Sequence, residues 1–299
     1  MFLLFINDLP DYVKSCNVRL FADDCVLYRR IHRASDMQCF RTIWIIYFSG
    51  NKTGKWSSIP TSVSFYVSPT KRKPFARDYD IHGRKLEEVE LAKYLGVTIQ
   101  KNLSWNIHID QITKKANSTR AFIQRNLNHF PREMKSTCYL TLVRPLLGYA
   151  CMVWDPHTAQ NTHKLEAVQR RSNTHKLEAV QRRSASFVMN NYQQTSSVTS
   201  MLQTLQWPTL AERRARIKAT MMYRIVNGLV ATPPTELHAS TTTARGHTAR
   251  FIVLYARTQL YRHSFFPDTI RIWNGLPQPL VESTSLETFK QGVLSCDIP

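Results

Sequence analysis

The apolar residues of this chain change period partway along it. Up to about residue 100 they come in short β-prone runs. Val18-Arg19-Leu20-Phe21 and Val26-Leu27-Tyr28 flank Ala22-Asp23-Asp24-Cys25, a length that predicts a hairpin. Tyr94 to Ile99 predicts one buried strand. From about residue 106 the period is helical. Ile109, Ile112, Ala116, Thr119, Ile123 and Leu127 recur at three- and four-residue steps and mark one apolar face. Pro131 suits the first turn of the next helix, where Met134, Cys138, Leu142 and Leu146 predict a stripe. Pro145 should kink or break that helix, because it lacks the N–H the helix needs. A basic helix begins near Glu212 and runs into Met221, Met222, Ile225 and Val226, which read as core packing. Thr241 to Thr248 reads as a polar linker. Thr284 and Glu287 have capping-box spacing before a short helix carrying Phe289 and Val293. The expected fold class is α+β, a small hairpin or sheet followed by a mainly α-helical region. The expected segments are 1–100, 101–240 and 241–299.

Two stretches break this pattern. Residues 37–77 contain no Asp or Glu and show no sustained period, as expected of a segment read in a shifted frame. Asn161–Ser172 recurs unchanged as Asn173–Ser184. Twelve residues at ~3.6 per turn leave a rotation of roughly 120° beyond whole turns. Leu165 and Leu177 therefore cannot share a face of one rod. Either one copy loops out or the rod carries a misfaced stripe. A repeat this short is no solenoid unit, and the plain reading is a recent duplication.

Composition narrows the partners. The 299 residues include 40 Lys plus Arg against 21 Asp plus Glu, a formal charge of +19. The excess points to a polyanion, with nucleic acid ahead of a membrane surface. It concentrates in residues 101–184, which hold 14 basic and 5 acidic groups. Helices with one apolar face and cations on another suit phosphate tracking without sequence readout. The candidates are Lys114, Lys115, Arg120, Arg125, Arg170, Arg171, Arg182, Arg183, Arg213, Arg214 and Arg216. The competing reading of each is an ordinary solvated helix face. Trp105 and Trp154 read as core rather than stacking platforms, and His108 and His129 as surface or core groups rather than ligands. The apolar run Met1–Ile6 is too short for a span and has no cationic start, so neither a membrane segment nor a signal peptide is expected. Six Cys without a CxxC read as reduced thiols of an intracellular protein, nuclear or cytoplasmic and not secreted, with no zinc site.

Asp23 and Asp24 are the candidate chemistry. Adjacent carboxylates raise each other's pKa, and a divalent cation reverses that. Hard oxygen ligands suit Mg²⁺, and a two-metal phosphoryl-transfer site needs carboxylates bridging ions ~4 Å apart. A solvated turn accommodates the same pair.

Their context resembles the reverse transcriptases of non-LTR retrotransposons of the jockey-like kind. The words that carry it begin with Leu4-Phe5-Ile6-Asn7-Asp8-Leu9-Pro10 and Val18-Arg19-Leu20-Phe21-Ala22-Asp23-Asp24. They continue through Ala92-Lys93-Tyr94-Leu95-Gly96-Val97, Leu103-Ser104-Trp105, Leu142-Val143-Arg144-Pro145 and Val153-Trp154-Asp155-Pro156. Leu165-Glu166-Ala167-Val168-Gln169-Arg170-Arg171, Phe265-Phe266-Pro267 and Arg271-Ile272-Trp273-Asn274 follow. The match covers residues 1–36 and roughly 71–299. It implies an aromatic-Ala-Asp-Asp box on a palm hairpin, with Asp23 a ligand of catalytic Mg²⁺ and Asp24 its neighbour. It also implies a helical thumb over 101–240 that rides on an RNA template with its DNA primer, or on an RNA–DNA duplex. No small-molecule cofactor is implied. The expected activity of the parent is RNA-directed DNA polymerisation. This sequence is expected to be a truncated piece, because the other metal-binding palm Asp, the fingers and the endonuclease are not among its residues. Residues 41–70 depart from the family's helical palm segment. The alternatives are a non-catalytic nucleic-acid-binding remnant and a pseudogene product.

Overall fold

A computed structural model describes residues 17–21, 24–28, 80–81, 84–85, 88–155, 164–193, 197–230, 237–240 and 247–296. The expected shifted-frame segment 37–77 and Asp23 lie outside the described residues. The fold is α+β, with small antiparallel hairpins followed by helices. The chain divides into two compact units, Met1–His108 and Ile109–Pro299.

In the first unit, β1 (Asn17–Phe21) pairs with β2 (Asp24–Tyr28) and β3 (Asp80–Ile81) with β4 (Arg84–Lys85). The single strand expected over Tyr94–Ile99 is instead a hairpin. β5 (Leu91–Tyr94) turns at Leu95-Gly96 into β6 (Val97–Gln100). The reason is local: φ is 45° at Leu95 and 80° at Gly96, two left-handed residues whose twist matches a two-residue β-turn. Glycine takes that conformation without steric penalty, whereas Leu95 does not. The Thr98 amide donates to Nδ1 of buried His108 at 3.2 Å. Burial lowers the His108 pKa, so the ring stays neutral and accepts this bond. His108 is thus a core group, as expected. It lies in the first turn of α1 (Asn106–Asn126), whose start is further held by Ile107 N–H donating to Gln100 Oε1 at 3.2 Å.

In the second unit, Ile109, Ala116 and Ile123 are buried along α1, as its period predicts. Pro131 caps α2 (Arg132–Cys138). The chain then widens into a π turn, Tyr139–Val143, and tightens into a 3₁₀ turn, Arg144–Leu147, with Pro145 near its start. The missing proline N–H accounts for the break. The stripe, however, is displaced by one residue. Lys135, Tyr139, Val143 and Leu147 are buried, while Met134 and Leu142 are exposed. The pattern counted Met, Cys and Leu, but the amphipathic bodies of Lys135 and Tyr139 go inward. The Lys135 ammonium lies 5.0 Å from the Phe187 ring centre, and Tyr139 stacks on Trp207 at 4.1 Å.

After α3 (Cys151–Trp154), the helix α4 (Lys164–Met189) runs unbroken through both repeat copies. Neither copy loops out within 164–184. The second copy buries Leu177, Val180, Gln181 and Ser184. Three bonds fasten α4 and its exit to α1: Lys176 to Asp110 at 2.6 Å, Arg183 to Asn117 at 3.0 Å and Gln124 to Tyr192 at 3.5 Å. Contacts advance together along both helices, so the two run in the same direction.

α5 (Val198–Thr204) and α6 (Leu210–Val226) follow, each with a hydroxyl cap, Ser197 accepting from Ser200 N–H and Thr209 from Glu212 N–H. The last helices are α7 (Gln259–Arg262), α8 (Phe265–Asn274), α9 (Gln278–Val281) and α10 (Leu286–Ser295). The cap of α10 is Ser285, which accepts from Thr288 N–H at 3.1 Å, not the expected Thr284. Phe289 and Val293 are buried as predicted. The expected break near residue 240 falls inside one unit. Ala219, Met222 and Tyr223 of α6 share a core with Ile270, Trp273, Leu280 and Phe289. His247, placed by the sequence in a polar linker, is buried and bonds the Trp273 carbonyl through Nε2 at 2.9 Å.

Candidate nucleic-acid interface

Asp24 sits at the end of a hairpin. The register runs from Asn17 opposite Tyr28 to Phe21 opposite Asp24. Asp24 therefore opens β2, and the connection Ala22-Asp23 has the two-residue length that antiparallel strands favour. Val18 is buried while Arg19 and Phe21 are exposed, the alternation of a strand with one covered face. Carboxylate oxygens are the right donors for Mg²⁺. Among the described residues, no group of three His, Cys, Asp or Glu is placed to hold a metal ion.

The basic candidates separate by depth. Lys114, Lys115, Arg125 and Arg183 are exposed. Arg182 and Arg120 are half-buried, and Arg120 donates to Gln124 Oε1 at 2.8 Å. Burial, then the charge of Arg183, lowers the Arg120 pKa, so these two guanidiniums lie in one positive field at the α1–α4 seam. The side chains of Arg170 and Arg171 lie outside the described residues, although α4 carries their backbone. Arg213 and Arg216 are half-buried, and Arg216 reaches the Leu294 carbonyl at 3.4 Å.

Arg214 requires a correction. It faces inward, and its Nε donates to Asp155 Oδ1 at 2.6 Å with the side chain 4% exposed. Lys218, one turn on, is equally deep. It pairs with Asp155 Oδ2 and with Asp268 Oδ2, the latter at 2.6 Å. Burial alone would lower the Lys218 pKa, but the two carboxylates outweigh it and the net shift is upward. This buried array joins the end of α3, the core face of α6 and the first turn of α8. A phosphate cannot reach Arg214 without dismantling it. Spacing alone gave no warning, since Arg213 and Arg214 are neighbours in a basic run and only one turns outward.

Trp154 is fully buried, with Nε1 donating to the Tyr149 carbonyl at 2.7 Å, so in the Val153-Trp154-Asp155 stretch Trp154 contributes packing and Asp155 an ion-pair anchor. Cys151 is buried, and burial with the charge of Asp155 pushes its thiol up to about 11. Cys138 and Cys296 are free and half-buried. Among the described residues no helix is long and apolar enough to cross a membrane. Comparison with family models, with curated proteins and with solved structures gives no match to this chain.

Proposed function

We propose that this chain is the C-terminal palm segment and thumb of a non-LTR retrotransposon reverse transcriptase. Its hairpin Asp residues serve a Mg²⁺-dependent nucleotidyl-transfer site, and its helical unit holds the template–primer duplex. The observation that carries this reading is the hairpin register. It ends with Phe21 opposite Asp24, so that only Ala22-Asp23 separates the two strands in the sequence, the spacing expected of the family's carboxylate hairpin. In the working polymerase, Asp23 and Asp24 hold the ion that offsets charge on the reacting phosphate. A further palm carboxylate completes the site. The chain as it stands should not extend a primed RNA template with Mg²⁺. Joined to a palm segment supplying that carboxylate, it should extend, and Asp23→Asn should abolish extension. Robust extension by the unjoined chain, or activity surviving Asp23→Asn, overturns the reading.

The exposure of Lys114, Lys115, Arg125 and Arg183 favours duplex binding even without catalysis. Each phosphate neutralised adds ~0.9 to the slope of log affinity against log salt on duplex DNA. Binding should therefore fall steeply with salt and show little sequence preference. Salt-insensitive binding removes this reading.

A further inference from the structure

One segment of the second unit offers exposed apolar side chains and unpaired backbone together. Phe251 pairs with Ala239 in an isolated antiparallel bridge. The Ser240 amide donates to the Arg250 carbonyl at 2.9 Å, and the Ile252 amide to the His238 carbonyl at 2.8 Å. Arg250 and Ile252 thus turn their backbone groups to one side, and Phe251 turns its own to the other. On that other side Asn274, the last residue of α8, takes the place of a strand. Phe251 N–H donates to Asn274 Oδ1 at 3.0 Å, and Asn274 Nδ2 donates to the Phe251 carbonyl at 2.8 Å. The pairing stops there. Across residues 253–257 no backbone amide or carbonyl is bonded to any described residue. Exposure alternates along them. Val253, Tyr255 and Arg257 are exposed, Tyr255 to 87%, while Leu254 and Ala256 are half-buried, the pattern of a strand with one face covered. Ile252 is exposed beside them.

Unpaired amides and carbonyls along an extended apolar segment form an open edge, a template for another chain. Its electrostatic setting selects the partner. Residues 237–267 contain four Arg and no Asp or Glu. Arg257 and Arg262 are exposed, and neither forms an ion pair among the described residues. A second copy of this chain fits poorly. Antiparallel self-pairing centred on Val253 and Leu254 sets Arg250 of each copy opposite Arg257 of the other, and like charges placed so are destabilising. A nucleic acid would match the cations but leave the amides and the Ile252 and Val253 side chains uncovered. We propose that residues 253–257 are a strand-addition site for an extended acidic peptide segment of a partner protein. The peptide pairs with Val253 and Tyr255, on the edge that Asn274 closes at Phe251, and brings its carboxylates to Arg257 and Arg262. Main-chain bonds supply affinity, and the flanking cations supply selectivity. The proposal is independent of the reverse-transcriptase reading.

The test uses the full chain and three fluorescein-labelled synthetic peptides, read by anisotropy. All share a centre of alternating valine and threonine. One is flanked by aspartates and one by lysines, and the third is the aspartate peptide with its central amides N-methylated. The aspartate peptide should bind, and the lysine peptide at least about tenfold more weakly, since it meets Arg257 with like charge. N-methylation removes several hydrogen bonds and should also weaken binding about tenfold or more. Arg257→Glu should weaken the aspartate peptide, strengthen the lysine peptide and leave the melting temperature unchanged, because the side chain is exposed. Absence of aspartate-peptide binding overturns the site. Equal binding of the aspartate and lysine peptides, or of the N-methylated and parent peptides, also overturns it. A wild-type dimer in sedimentation that Tyr255→Arg disperses would make a second copy the occupant and overturn it too. Displacement of the bound peptide by an RNA–DNA duplex overturns it in favour of nucleic acid.

Discussion

The β1–β2 hairpin and the α6–α8–α10 core carry aromatic residues in opposite ways. On the hairpin, Phe21 is 62% and Tyr28 is 46% exposed. In the core, Trp273 and Phe289 are fully buried with ring centres 6.1 Å apart, and Tyr223 stacks on Phe289 at 4.4 Å. Each polar edge there is satisfied: Trp273 Nε1 donates to Ala249 O at 2.8 Å, and Tyr223 OH to Ser283 O at 2.6 Å. A two-stranded ribbon offers little area to bury, so its backbone ladder sets its shape. The helical core stores its stability in side-chain packing.

Substitutions should expose that contrast, beginning with the core. Trp273→Ala should cost about 3–5 kcal/mol, the loss seen when a large buried aromatic is deleted. A denaturant titration showing less than about 1 kcal/mol would mean the core is not where stability resides.

Lys218→Met should cost about 3 kcal/mol, because it removes the buried cation that Asp155 and Asp268 share. The same pairing has a pH signature. The Lys218 pKa is raised in the fold, so its stabilisation is complete below the unfolded lysine value. It is lost as pH climbs through the higher folded value. Equal alkaline stability in wild type and Lys218→Met would contradict this.

A smaller effect is expected at His108. Its pKa is lowered in the fold, so the unfolded state binds the proton first as pH falls below the usual imidazole range. Stability of this segment should drop on acidification through that range and level off below the folded value. Protonating Nδ1 would set two donors against each other at Thr98 N–H. Amide exchange at Thr98 should accelerate in acid relative to a His108→Gln variant. An unchanged ratio would sink the assignment.

The smallest effect belongs to the hairpin. Phe21→Ser should shift stability by about 0.5 kcal/mol or less, as exposed positions usually do. A loss rivalling Trp273→Ala would contradict the small contribution expected of this exposed ring.

Much of this arrangement was legible in the sequence. The period over 109–127 identified the buried face of α1, and the β-prone runs around Ala22-Asp23 located the hairpin. Phe289 and Val293 were placed inward from spacing alone. The errors have physical causes. At 134–147, Lys135 and Tyr139 bury long apolar bodies that a count of aliphatic residues overlooks. At 94–99, Leu95 adopts a left-handed conformation that bulky residues avoid, so Gly96 alone signals the turn. For the candidate interface, the outward placement of Lys114, Lys115 and Arg125 followed from the helical period, whereas the inward turn of Arg214 did not.

Local sequence determined which segments became helices and hairpins, because hydrophobic period, proline and hydroxyl caps act within a few residues. Only the tertiary structure decided what each cation does. Arg213, Arg214 and Lys218 lie on one short basic helix, and nothing within it marks two of them for burial. The deciding carboxylates are Asp155, 59 residues before Arg214, and Asp268, 50 residues beyond Lys218. A charge can leave water only where a counter-charge is already held, and chain topology sets that position.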